Sequence, residues 1–178
     1  MTADKAKSIA VAIDGSEAAW EAMQRAVNMA RLLELPLEVL YVIQLRKSGY
    51  FAFIDRHLQE DQEAYAKKIF ADAVQRAEKK GVVVHTHLLE GEHDPSESIV
   101  AFLDQARGVK FLVMGTHGHG FVGRHLLGSS TERVLREVAR RGLPVPVLVV
   151  PFTKPAAEPG PTSPDQPVRM HHNPGQAP

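Results

Sequence analysis

The chain contains no cysteine. That absence excludes disulfides, thiolate metal centres and a cysteine nucleophile. An excess of charge is lacking too: Lys plus Arg and Asp plus Glu stand at 21 each. A strongly basic face for nucleic acid is therefore not implied. No apolar stretch approaches the roughly 18–20 residues that span a bilayer. The opening segment, Met1 to Lys7, leads straight into a short apolar run without the h-region of a signal peptide. The expectation is a soluble, cytoplasmic protein with neither nucleic acid nor a membrane as partner. Tryptophan occurs once, as Trp20, on a helix-like run where packing or an interface explains it better than a ligand platform.

What is present is an ordinary globular composition. Of 178 residues, 44% are hydrophobic, enough for one buried core. Short β-branched runs alternate with longer amphipathic ones. Strands are expected at 9–13, 37–43, 82–88, 109–114 and 145–150. Helices are expected at 17–34, 57–80, 96–107 and 129–141, with Asp14 or Ser16 capping the first. Residues 44–54 have no clean period and read as a loop, and 91–95 as a turn. This alternation predicts an α/β fold in three layers: an open, largely parallel five-stranded sheet with helices on both faces. The domain spans 1–152. Eight of the twelve prolines lie from Pro151 onward, with almost no large apolar residues after Phe152. A segment of that composition cannot bury enough surface to offset its ordering entropy, so 153–178 reads as a disordered C-terminal tail.

The most informative stretch joins the fourth strand to the fourth helix. Gly115-Thr116-His117-Gly118 is followed, after nine residues, by Gly128-Ser129-Ser130-Thr131. A helix start has unpaired N–H groups and the positive end of a dipole, and is a ready anion site. Glycines let backbone approach a ligand closely. A phosphate cradle follows. It is not a P-loop, because no lysine lies between Gly115 and Thr131. Gly118-His119-Gly120-Phe121-Val122-Gly123 matches the dinucleotide fingerprint, but not in the first strand–helix turn, and the next strand ends at Val150-Pro151 without an acid. An ATP pyrophosphatase or ligase of related topology would show S-G-G-x-D-S after the first strand, which Ile13-Asp14-Gly15-Ser16 does not match.

Gly115, Gly118, Gly128 and Ser129, spaced Gly-x2-Gly-x9-Gly-Ser, resemble the ATP-binding motif of the universal stress protein family. Ala12-Ile13-Asp14-Gly15-Ser16 is similar to that family's V-x-x-D-G-S, Tyr41-Val42-Ile43 to its H-V-x, and Pro144 to Val150 to its P-V-L-V-V strand. The resemblance covers residues 7–151 and implies the strand order 3-2-1-4-5 in the parallel sheet. It implies an adenine nucleotide, ATP or AMP/ADP, with Mg²⁺ as a companion that would bridge phosphates. By the same resemblance Ala12, Ile13 and Asp14 would contact ribose and adenine. Val42 would line the adenine pocket, and Met114 and Gly115 would lie beneath the nucleoside. Gly118, Gly128, Ser129, Ser130 and Thr131 would hold phosphates, with His117 and His119 beside them. The resemblance also implies a homodimer through the last strand, Val145–Val150. The implied role is regulatory, in stress signalling, with nucleotide occupancy biasing an interaction surface such as the Gln44–Asp55 loop. A nucleotide-independent interaction module, or a slow ATPase, is the alternative.

Each residue also has a blander role open to it. Asp14 suits a helix cap, Ser129 an N-cap, Gly115 and Gly118 a turn, and Met114 and Val42 the core. Arg124 is a phosphate ligand or a solvated loop residue. His85 and His87 share a strand face, but without thiolates or an H-E-x-x-H helix no metal site is assigned. The run Arg133, Arg136, Arg140, Arg141, interleaved with Glu132 and Glu137, reads as a solvated face. No general base or nucleophile–base pair accompanies the loop, so no catalytic residue is assigned.

Overall fold

A computed structural model describes residues 7–44, 52–91, 94–117 and 127–151, of which 52–58 by their backbone alone. The elements are β1 (Ser8–Ala12), α1 (Glu17–Leu33), β2 (Leu37–Gln44), α2 (Ala52–Glu78), β3 (Val84–Gly91), α3 (Pro95–Gln105), β4 (Val109–Gly115), α4 (Ser129–Arg141) and β5 (Val147–Val150). The five strands form one parallel sheet in the order β3-β2-β1-β4-β5. Two apolar layers cover it. Ile9, Val11, Leu37 and Val39 pack under α1 and α2, with Met23, Val27, Ile69 and Ala73. Ala10, Leu40, Leu112 and Met114 pack under α3 and α4, with Ile99, Leu103, Val134 and Val138. The alternation of partners along each strand is the two-residue side-chain period of a sheet buried on both faces.

The boundaries that moved have local causes. β5 begins at Val147, not Val145, because Pro144 and Pro146 lack an N–H for the ladder; the Pro146 carbonyl still accepts from Leu112 N at 2.9 Å. β3 begins at Val84 because Val82 turns back onto α2, its N–H donating to Ala77 O at 3.1 Å. It then runs on to Gly91, paired with Gln44. α2 begins at Ala52, so 52–54 are helical and not loop. α3 starts one residue early, with Pro95 in its first turn, where proline's missing N–H costs nothing. Asp94 caps it, and Ser16 caps α1. Trp20 packs against the core, with the Arg76 guanidinium 4.4 Å from its ring centroid, tying α1 to α2. The expected tail from 153 onward lies outside the described residues.

Candidate functional site

The carboxyl ends of β1, β2 and β4 and the amino ends of α3 and α4 surround one cleft of about 720 Å³. Its position follows from the topology. From β1 the chain first winds outward to β2 and β3, and later to β4 and β5, so the connections diverge above β1 and β4 and leave a crevice there.

The floor is made of strand ends. Ala12, Ile13 and Asp14 come from β1 and the turn after it, Val42 from β2, and Met114 and Gly115 from β4. Asp14 makes an Asx turn, its Oδ1 accepting from Ser16 N at 2.9 Å, while Ser16 Oγ accepts from Ala19 N at 3.2 Å. The cap of α1 is thus Ser16, and Asp14 lines the cleft beside it. Gly115 is glycine because α1 leaves no room: a Cβ there would meet the Ala18 carbonyl oxygen at 2.8 Å.

The wall above β4 is the start of α4. His117, Gly128, Ser129, Ser130 and Thr131 all border the cleft. Ser129 is not a cap. The N-cap is Gly128, and no side chain accepts from the first turn of α4. Thr131 is buried, and its Oγ1 donates to Gly115 O at 2.9 Å. That hydroxyl proton joins α4 to β4 and is not available as a phosphate donor. The His117 Nδ1 lies 3.0 Å from Thr116 Oγ1. Gly118, His119, Arg124 and His125 lie outside the described residues. So does most of the Gln44–Asp55 loop.

The remaining walls carry residues that no motif announced. α2 contributes Gln62 and Tyr65, β2 contributes Tyr41 and Gln44, and the start of α3 contributes Asp94, Pro95 and Ile99. Gln44 N donates to Gln62 Oε1 at 3.2 Å, so α2 closes against the end of β2. Tyr41 and Tyr65 stand edge to face with centroids 6.3 Å apart. Burial raises the Tyr41 pKa, and Tyr65 and the Asp14 carboxylate raise it further. A usable signal existed for Asp94: Asp-Pro before an apolar run marks a helix start, and helix starts after parallel strands gather at one end of the sheet. For Gln62 and Tyr65 there was none, because only the path of α2 brings them here.

Residues singled out elsewhere have structural partners. His85 Nδ1 and His87 Nε2 both meet the Glu38 carboxylate, at 3.3 and 2.6 Å. Among the described residues no group of three or more His, Cys, Asp or Glu could hold a metal ion. On α4, Arg136 pairs with Glu132, and Arg140 and Arg141 with Glu137. Hydrogen bonds from Arg140 and, less, from Arg141 lower the Glu137 pKa. These are the pairs of a solvated helix face. Among the described residues no helix is long and apolar enough to cross a membrane.

Comparison with known proteins agrees with this architecture. A family model described as Universal stress protein family matches residues 5–151. Universal stress protein MJ0531 of Methanocaldococcus jannaschii is 34% identical over 150 residues, covering 81% of each chain. The solved structure of hypothetical protein MJ0577 superposes with a TM-score of 0.71 at 27% identity, covering 84% of this chain and 99% of that one. Universal stress protein UspA from Lactobacillus plantarum, at 23% identity and a TM-score of 0.71, covers 82% of this chain and 99% of its own and shares the fold. The chain belongs to the universal stress protein family.

Proposed function

We propose that the cleft binds an adenine nucleotide, ATP or its AMP and ADP relatives, and that the protein is a cytoplasmic, homodimeric regulator in stress signalling. One observation carries this reading. α1 and α3 have side-chain caps, whereas α4 opens into the cleft behind Gly128 with none. Its first N–H groups and positive dipole end face a space bordered by Ser129 and Ser130, the arrangement that favours a phosphate. Ala12, Ile13, Asp14, Val42 and Met114 line the same cleft, where a nucleoside attached to that phosphate would rest. By the family resemblance Gly118, with His119 beside it in sequence, would add to the phosphate side; both lie outside the described residues. Mg²⁺ would suit this site as a companion of the phosphates, its charge offsetting that of Asp14 and Asp94, which line the cleft.

Ser130→Glu tests the reading. A carboxylate in the first turn of α4 suits the helix dipole and repels an anion at that turn. ATP binding, measured by calorimetry with Mg²⁺, is expected to weaken by about tenfold or more, roughly 1.4 kcal/mol, with Tm unchanged or higher. Absence of wild-type binding at millimolar nucleotide, with none released from the purified protein on denaturation, would overturn the proposal and leave the nucleotide-independent module.

A further inference from the structure

The described lining of the cleft carries two carboxylates. Asp14 and Asp94 border it, and no Lys or Arg does among the described residues. Asp94 is fixed: its Oδ1 accepts from Ser96 N at 2.9 Å as the cap of α3, and its carboxyl is only 15% exposed. Its Oδ2 lies 3.6 Å from Arg133 Nη1. Arg133 stands one turn after Ser129 on α4. Helical side chains lean toward the helix start, so its stem runs back over the turn that carries Ser129 and Ser130. Ile99, Leu103, Val134 and Val138 share one core cluster, which holds α3 and α4 in register beneath the pair.

We propose that Arg133 is the phosphate-counting residue of this site. It neutralises Asp94 at the rim and turns toward the distal phosphates when they are present, so affinity rises with phosphate number. This rests on the adenine-nucleotide reading and adds a specificity determinant to it. The Arg133 side chain is 57% exposed, so its pair with Asp94 is weak and cheap to leave. A phosphate oxygen offers the same guanidinium a shorter, charge-assisted and bidentate bond. Without Arg133, the Asp94 carboxylate would face the phosphates without its guanidinium partner.

The test is a set of dissociation constants for adenosine, AMP and ATP in wild type, Arg133→Gln, Arg133→Lys and Arg133→Gln/Asp94→Asn. Asparagine keeps the cap of α3, and circular dichroism melts confirm that each variant folds. Arg133→Gln is expected to weaken ATP by roughly tenfold, the size of one charge-assisted bond, to weaken AMP less and to leave adenosine within about twofold. Arg133→Lys keeps most of the ATP affinity, and the double variant regains part of it. The ATP affinity of Arg133→Gln is also expected to fall less steeply with salt. An equal loss for adenosine and ATP, or no loss for ATP, overturns the proposal and leaves the nucleotide site standing. A wild type that binds none of the three overturns both.

Discussion

Gly15 and Gly115 are glycines for different reasons, and substitution separates them. Gly15 has φ +86°, and a Cβ there would lie 2.6 Å from Tyr65 Oη and 2.8 Å from Ile69 Cδ1. Both conformation and space exclude a side chain. Gly15→Ala is expected to cost about 2–3 kcal/mol in urea denaturation, and to disturb Tyr65 in the cleft. At Gly115 the obstacle is backbone, the Ala18 carbonyl, which cannot swing away. Gly115→Ala is expected to cost about 1–3 kcal/mol through forced separation of α1 and β4. The loss should be the same with and without nucleotide if packing alone demands the glycine. A family motif marks Gly115 as a ligand residue; its packing would demand glycine even in a chain that bound nothing.

At the scale of elements, what could be read from the chain was what local chemistry decides. α4 runs from Ser129 to Arg141 as expected, because a glycine stands before it and Gly142 accepts φ +61° after it. The apolar runs of β1, β2 and β4 were legible for the same reason, and strand alternation with helices fixed the parallel sheet. The cleft was legible only where a strand or α4 builds it. α2 was the failure: its start lay in a stretch without clear periodicity, and Gln62 and Tyr65 face the site by tertiary path alone. That helix has a consequence for alkaline pH. Its Tyr65 helps to raise the pKa of Tyr41. The folded protein then holds a proton that the unfolded chain has released above pH ~10. This contribution is fully present below that pH and is lost as pH climbs toward the raised folded value. Stability of wild type should therefore fall between pH 9.5 and 11.5 more steeply than that of Tyr41→Phe, measured by urea midpoint at each pH.

For the whole molecule, the two sheet edges differ. β3 presents His85, Thr86, His87 and Glu90 around one exposed apolar side chain, Leu88, and a mostly polar edge discourages pairing. β5 reads Val-Leu-Val-Val, with Leu148 41% exposed. We propose β5 as the dimer seam, and Leu148→Lys is expected to shift sedimentation equilibrium to monomer while β1–β4 stay folded. Val150, the last residue of that seam, pairs with Gly115 in the floor of the cleft, and its carbonyl accepts from Thr116 N at 3.1 Å. Thr131 and Gly128 in turn bond Gly115 O and Thr116 O. The end of β5 and the start of α4 are consequently two hydrogen bonds apart, through Thr116. Linkage makes any effect between them reciprocal: the factor by which nucleotide tightens or loosens the dimer must equal the factor by which dimerisation changes nucleotide affinity. With nucleotide in the cleft and a second subunit on β5, both as proposed, so short a connection would let the adenylate pool set how many subunits stand together, and would let assembly tune the concentration of nucleotide to which the protein responds.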